Sequence, residues 1–144
     1  MGLDGPLPIF YRSSMTERRA IFSGSTFEEQ VGYARAVVDG DHVHVSGTTG
    51  FDYRTMTISD DIVDQVEQCL RNIEAALAEA GCTFADVVRV RYILPDRDDF
   101  EPCLPALRGA FAAAPPAATM IQCGLSDPRM KIEIEVYARR PSGA

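Results

Sequence analysis

Tryptophan is absent from this 144-residue chain, lysine occurs once and histidine twice. Its 14 basic side chains are outnumbered by 21 acidic ones, for a formal net charge of −7. Proteins that track nucleic-acid phosphates use clustered Lys and Arg to displace condensed counterions, so no nucleic-acid partner is expected here. No apolar run approaches the ~20 residues that span a bilayer, and the N-terminus lacks the basic and apolar regions of a secretory signal. Met1-Gly2 is followed by Pro6, where a myristoylation signal carries Ser or Thr. A soluble, cytoplasmic protein with no membrane partner is the expectation. There is no C-x-x-C pair either, so Cys69, Cys82, Cys103 and Cys123 read as small apolar fillers in a reducing compartment.

What is present suffices for one domain, with 46% hydrophobic residues. Residues 1–14 hold Pro and Gly without a period and read as a loose leader; residues 15–140 carry the patterned sequence, and 141–144 a short tail. Ala20-Ile21-Phe22 is a strand candidate, followed by a loop through Phe27 to Gly32. Tyr33–Val38 is a β-branched run closed by Asp39-Gly40, a two-residue hairpin signal, and His42–Ser46 resumes the alternation. Gly47-Thr48-Thr49-Gly50 reads as a strand terminus and Phe51–Ile58 as a connecting loop. Ser59 or Asp60 can cap the next helix, in which Ile62, Val66, Cys69, Leu70, Ile73, Leu77 and Ala80 recur at helical spacing before Gly81. Val87–Leu94 alternates as a strand. Asp98-Asp99 opens a second helix with Phe100, Leu104, Leu107 and Phe111 on one face, and Pro115-Pro116 stops it. Ala118–Cys123 and Lys131–Ala138 are the last two strands.

The order is therefore β-β-β-α-β-α-β-β. Two helices cannot cover both faces of a six-stranded sheet, so the chain is expected to be an α+β layer with both helices on one face. The other face is then polar or buried against further subunits.

His42-Val43-His44 places both histidines on one strand face, a spacing zinc sites use, but no third ligand is near in sequence and no metal is expected. Tyr33 and Arg35 would share a strand face, pairing a phenol with a guanidinium able to grip a carboxylate, or they are ordinary surface groups. Glu133, within Lys131-Ile132-Glu133-Ile134-Glu135, is a candidate general acid/base if partly buried; otherwise it belongs to a surface charge ladder.

Taken in order, Gly32-Tyr33, Val45-Ser46-Gly47, Gln65 to Gly81 with Asn72-Ile73, Ala85-Asp86-Val87-Val88, Asp98-Asp99-Phe100, Phe111 with Pro116-Ala117, and Lys131-Ile132-Glu133-Ile134-Glu135 resemble the reactive-intermediate deaminase family (Rid, YjgF-like, formerly labelled L-PSP endoribonuclease). The match spans residues 20–138. The resemblance implies a chorismate-mutase-like α+β fold with a mixed sheet, a homotrimer with clefts between subunits, and cofactor-free hydrolysis of enamines and imines to keto acids and ammonia. It assigns Tyr33 to the pocket and Glu133 to the positioning of water. In the family an Arg within Pro-Ala-Arg-Ser/Thr binds the substrate carboxylate. This chain reads Pro116-Ala117-Ala118-Thr119, with Met120 where many members carry Cys and Leu104 where some carry Asn. Loss of a bidentate Arg–carboxylate clamp removes a few kcal/mol of binding, on the order of two to three powers of ten.

Two readings follow. In one, the chain hydrolyses a different imine, enamine or carbonyl compound, with Arg35 taking over anion recognition, Glu133 and Tyr33 acting at the reaction centre, and Ala118, Met120 and Leu104 forming an apolar wall. In the other, it is a non-catalytic trimer binding a small metabolite or a partner protein in the same clefts. Ribonuclease activity is a minor alternative that the charge disfavours.

Overall fold

The computed structural model describes residues 17–141. The leader at residues 1–14 and most of the tail lie outside that range. Strand β1 (Arg18–Ile21) is followed by α1 (Thr26–Val31), the hairpin β2 (Ala36–Asp39) and β3 (His42–Thr49), and two short strands, β4 (Phe51–Asp52) and β5 (Thr57–Ile58). Then come α2 (Ile62–Glu79), β6 (Val87–Leu94), α3 (Phe100–Phe111), β7 (Ala117–Gln122) and β8 (Glu133–Arg139). The main sheet has the order β1-β2-β3-β8-β6-β7. Among the described strands only β6 and β7 run parallel, because α3 returns the chain between them.

Alternation decides which face is covered. Val43 and Val45 of β3, Val90, Tyr92 and Leu94 of β6, and Ile134, Val136 and Ala138 of β8 are buried under α2 and α3. From α2 the stripe Val66, Cys69, Leu70, Ile73, Ala76 and Leu77 meets them. Helix and sheet approach closely at Gly50, where a Cβ would lie 2.6 Å from Gln65 Cα and 2.7 Å from its carbonyl oxygen. The opposite face is polar: Arg91 pairs with Glu135 at 2.7 Å, Arg89 donates to Thr119 at 2.7 Å, and His44 stands edge-on to Tyr137.

The α+β class, the mixed six-stranded sheet and the placement of the two long helices are as the sequence predicts. The count of helices is not. Residues 26–31, expected as loop, form α1, because Ser25 accepts a hydrogen bond from Phe27 N and Gly32 ends the turn at φ +88°. Strand β2 starts at Ala36 rather than Tyr33, so Tyr33 and Arg35 lie in a loop and strand alternation does not relate them. Asp39 pairs with His42, which puts Gly40 and Asp41 in the hairpin loop, with Gly40 at φ +60°. The connection 51–58 contains β4 and β5 rather than being wholly loop. Asp61, not Ser59 or Asp60, caps α2 by accepting from Asp64 N. Pro105 lies within α3. Cys69, Cys82 and Cys103 are buried free thiols, as fillers should be, whereas Cys123 is exposed just past the end of edge strand β7.

Candidate functional site

A register shift in β3 between Val45 and Thr48, where it pairs with β8, bulges the strand at Ser46-Gly47. Arg35 holds that bulge from below. It is 1% exposed, and its five N–H donors are all engaged. Nε and Nη2 donate to Glu28 Oε2 at 3.2 and 3.1 Å, Nη1 to Gly47 O at 2.8 Å and Thr48 Oγ1 at 3.2 Å, and Nη2 also to Tyr33 Oη at 3.3 Å. The guanidinium lies 4.2 Å from the centroid of the Tyr53 ring. Glu28, also buried, accepts in addition from Ser23 N and Ser23 Oγ. A buried ion pair with both carboxylate oxygens and all five guanidinium protons engaged this way acts as a rigid framework. Arg35 therefore does not present an open fork to a ligand carboxylate, unlike the role considered for it from sequence.

Glu133 opens β8 opposite Thr49. Its carboxylate packs directly over Gly47: a Cβ there would overlap Oε1 and lie 2.8 Å from Cδ, so only glycine leaves Glu133 its place. Burial, then repulsion from Glu135, raises the Glu133 pKa above the ordinary carboxyl value, while Arg35 pulls in the other direction.

Tyr33 and Glu133 line one cavity of about 140 Å³ within a single chain, together with Gly47, Thr49 and Tyr53. Phe27, Val31 and Met130 supply apolar walls, and Ser126 a further hydroxyl. Because Arg35 donates to Tyr33 Oη, the phenol's own hydrogen is left for another acceptor. Tyr53 Oη accepts from Thr49 N at 2.9 Å, and burial raises its pKa. None of the described residues lining this cavity is Lys, Arg or His.

The remaining candidates are elsewhere. Ala118 and Met120 are on β7, two strands away from β8, and Met120 is 42% exposed. Leu104 is exposed on α3. None of the three lines the Tyr33–Glu133 cavity. His42 and His44 are exposed on the polar face, and no group of three metal-ligating side chains occurs among the described residues.

Sequence reasoning missed Glu28, Gly47, Thr49 and Tyr53. From sequence alone Gly47 reads as part of a strand end. The available signal was Ser25-Thr26-Phe27-Glu28, an N-cap followed three residues later by an acid, which marks a helix start near the site.

A six-stranded mixed sheet under two long helices, with a carboxylate cavity at a bulge of its central strands, defines a small α+β protein of the YjgF type. The chain belongs to this family: the family model described as Endoribonuclease L-PSP matches residues 24–140. It is 33% identical over 123 residues to the Streptomyces coelicolor protein SCO2049, covering 85% of this chain and 92% of that one. A 2-iminobutanoate/2-iminopropanoate deaminase of Capra hircus is 29% identical over 122 residues, covering 83% and 89% respectively. Among solved structures, Rv2704 of Mycobacterium tuberculosis, a member of the YjgF/YER057c/UK114 family, superposes with a TM-score of 0.77 at 40% identity, covering 85% of this chain and 99% of that one. Among the described residues, no helix is long and apolar enough to cross a membrane.

Proposed function

We propose that the chain is a cofactor-free hydrolase of small imines or enamines that carry no carboxylate, acting through Glu133. The carrying observation is the charge of the cavity. It combines one half-buried carboxylate, phenolic and hydroxyl donors and apolar walls, with no cation lining it. A neutral imine, or its protonated iminium, suits these walls; a 2-imino acid anion would face Glu133 with no free cation on the lining to pair with.

In this reading Tyr33 O–H donates to the imine nitrogen while Glu133 accepts a proton from water as the oxygen attacks the C=N carbon. Glu133 hands that proton to the nitrogen of the resulting carbinolamine, the hydroxyl proton passes to the Tyr33 phenolate as the C–N bond breaks, and the carbonyl product and ammonia leave with Tyr33 and Glu133 both restored. A carboxyl group with a raised pKa suits both halves of this cycle, since it exchanges protons closer to neutrality. Arg35 serves as a positioning residue, acting through Tyr33 and Gly47.

The working unit proposed is a homotrimer in which the polar sheet face and edge β7 meet neighbouring subunits. Ala118, Met120 and Leu104 would then border a neighbour's cavity as an apolar wall. Metabolite binding without turnover is the second reading, and Ala118 in place of the family's Arg favours it. In both, the ligand is small and the ribonuclease reading is disfavoured, because no cation lines the cavity and the net charge is −7.

The test is to generate carboxylate-free imines with an amine oxidase, and 2-imino acids with an amino-acid oxidase, and to trap each with semicarbazide. Hydrolysis should compete with trapping only for the first class, and Glu133→Gln should abolish the competition. Binding of such imines without accelerated decay would favour the second reading.

A further inference from the structure

A larger cavity, about 410 Å³, lies on the other side of Tyr53 and Arg35, between the end of β1 and α2. Small-molecule pockets of roughly 300–1,000 Å³ are the common range, and the hydrolytic cavity falls well below it. The groove is chemically polarised. At one end Asn72 donates to the carbonyls of Thr49 and Phe51, at 3.1 and 2.7 Å, pinning the chain before residues 52–54 against the middle of α2. Arg71, next to Asn72 in the helix, and Arg54, three residues beyond the pinned Phe51, both line the groove. About one turn further along α2, the walls become Ala75 and Ala76, faced by Ile21 and by Phe22, which is 62% exposed.

The two arginines are available to a ligand. Arg71 Nη2 donates only to a neutral group, Gln68 Oε1, at 2.8 Å. Arg54 is 86% exposed, and its Nε lies 3.6 Å from Asp52, a contact too long and too wet to neutralise it. The other carboxylate of the groove, Glu79, is at its far end, eight residues along the helix from Arg71. An exposed aromatic beside an apolar floor, with two unsaturated guanidinium groups on the lining, matches an elongated ligand with an apolar body and an anionic head.

We propose that this groove is a second binding site, for a small carboxylate with an aromatic or short aliphatic body, separate from the cavity of Glu133. Tyr53 and Arg35 form the partition between the two. The anion that finds no partner beside Glu133 finds one here.

The experiment uses the full chain, uniformly labelled with nitrogen-15, titrated with 4-phenylbutyrate while amide resonances are followed. Parallel titrations use the uncharged 4-phenylbutyramide and the short acid acetate. Saturable shifts at Phe22, Arg71 and Ala75 are expected. The amide, acetate and the Arg54→Ala/Arg71→Ala variant should each bind about tenfold or more weakly. Both arginines are exposed, and the fold of the variant is checked by its unchanged spectrum elsewhere. Equal binding of acid and amide, unchanged affinity in the variant, shifts confined to residues around Glu133, or no saturable shift would each overturn the proposal.

Discussion

Arg35 and Glu133 share one neighbourhood, yet their charges do different work. Arg35 is closed on all sides and spends its charge on Glu28 at 3.1 Å. Replacing it by Met leaves Glu28 buried and unpaired, so Arg35→Met should lower stability by about 3–5 kcal/mol in urea unfolding, and adding Glu28→Leu should recover most of that loss. An Arg35 that mainly gripped ligand would show a small effect with no recovery. Glu133 titrates in the opposite sense to a paired carboxylate. Its raised pKa means the folded state holds the proton more tightly than the unfolded chain, whose value is near 4.5. Stability from that proton is full below the unfolded value and is lost as pH rises through the higher folded value. Wild type should therefore lose stability relative to Glu133→Gln as pH rises above about 4.5, read as diverging urea midpoints. Parallel midpoints across that range would contradict the raised pKa.

At the level of elements, the site is built by backbone irregularity more than by regular strands. The bulge at Ser46-Gly47, the short helix α1 and the loop carrying Tyr33 converge on one end of the sheet. Gly50 then lets α2 approach until its backbone would touch any added carbon. Since that neighbour is Gln65 main chain and cannot swing away, Gly50→Ala should cost about 1–3 kcal/mol in thermal or urea unfolding. These features also explain what could be read in advance. Helices α2 and α3 and strand β6 announce themselves by periodic burial, and Val87–Leu94 is bounded in the structure as its alternation indicates. Tyr33 and Glu133 were legible as candidates through the family resemblance. The bulge was not, because Gly-Thr-Thr-Gly has no period, and Arg35 looked like a free surface guanidinium since its partner Glu28 sits in a helix too short to register.

For the whole molecule, the covering of only one sheet face is the governing fact. The other face carries Arg91, Glu135, Arg89 and Tyr137 in place of a second layer of helices, and edge β7 exposes Met120 and Ile121. Closure by other copies of the chain follows as the proposed solution. Light scattering should give about three times the chain mass of 15.8 kDa, and a mass of one chain would contradict it. A trimer also offers the sharpest check on charge selectivity: Ala118→Arg on β7 would place a cation at a neighbour's cavity and should shift preference toward 2-imino acids.

The central claim is that Glu133, seated over Gly47, hydrolyses imines that lack a carboxylate. The most direct measurement is the rate at which the protein diverts an amine-oxidase-generated imine from semicarbazide trapping, compared among wild type, Glu133→Gln and Gly47→Ala. Acceleration by wild type is expected, with loss in Glu133→Gln and a drop of about a hundredfold in Gly47→Ala, whose carboxylate is retained but displaced. Equal acceleration by all three proteins, or acceleration only of 2-imino acids, would contradict it.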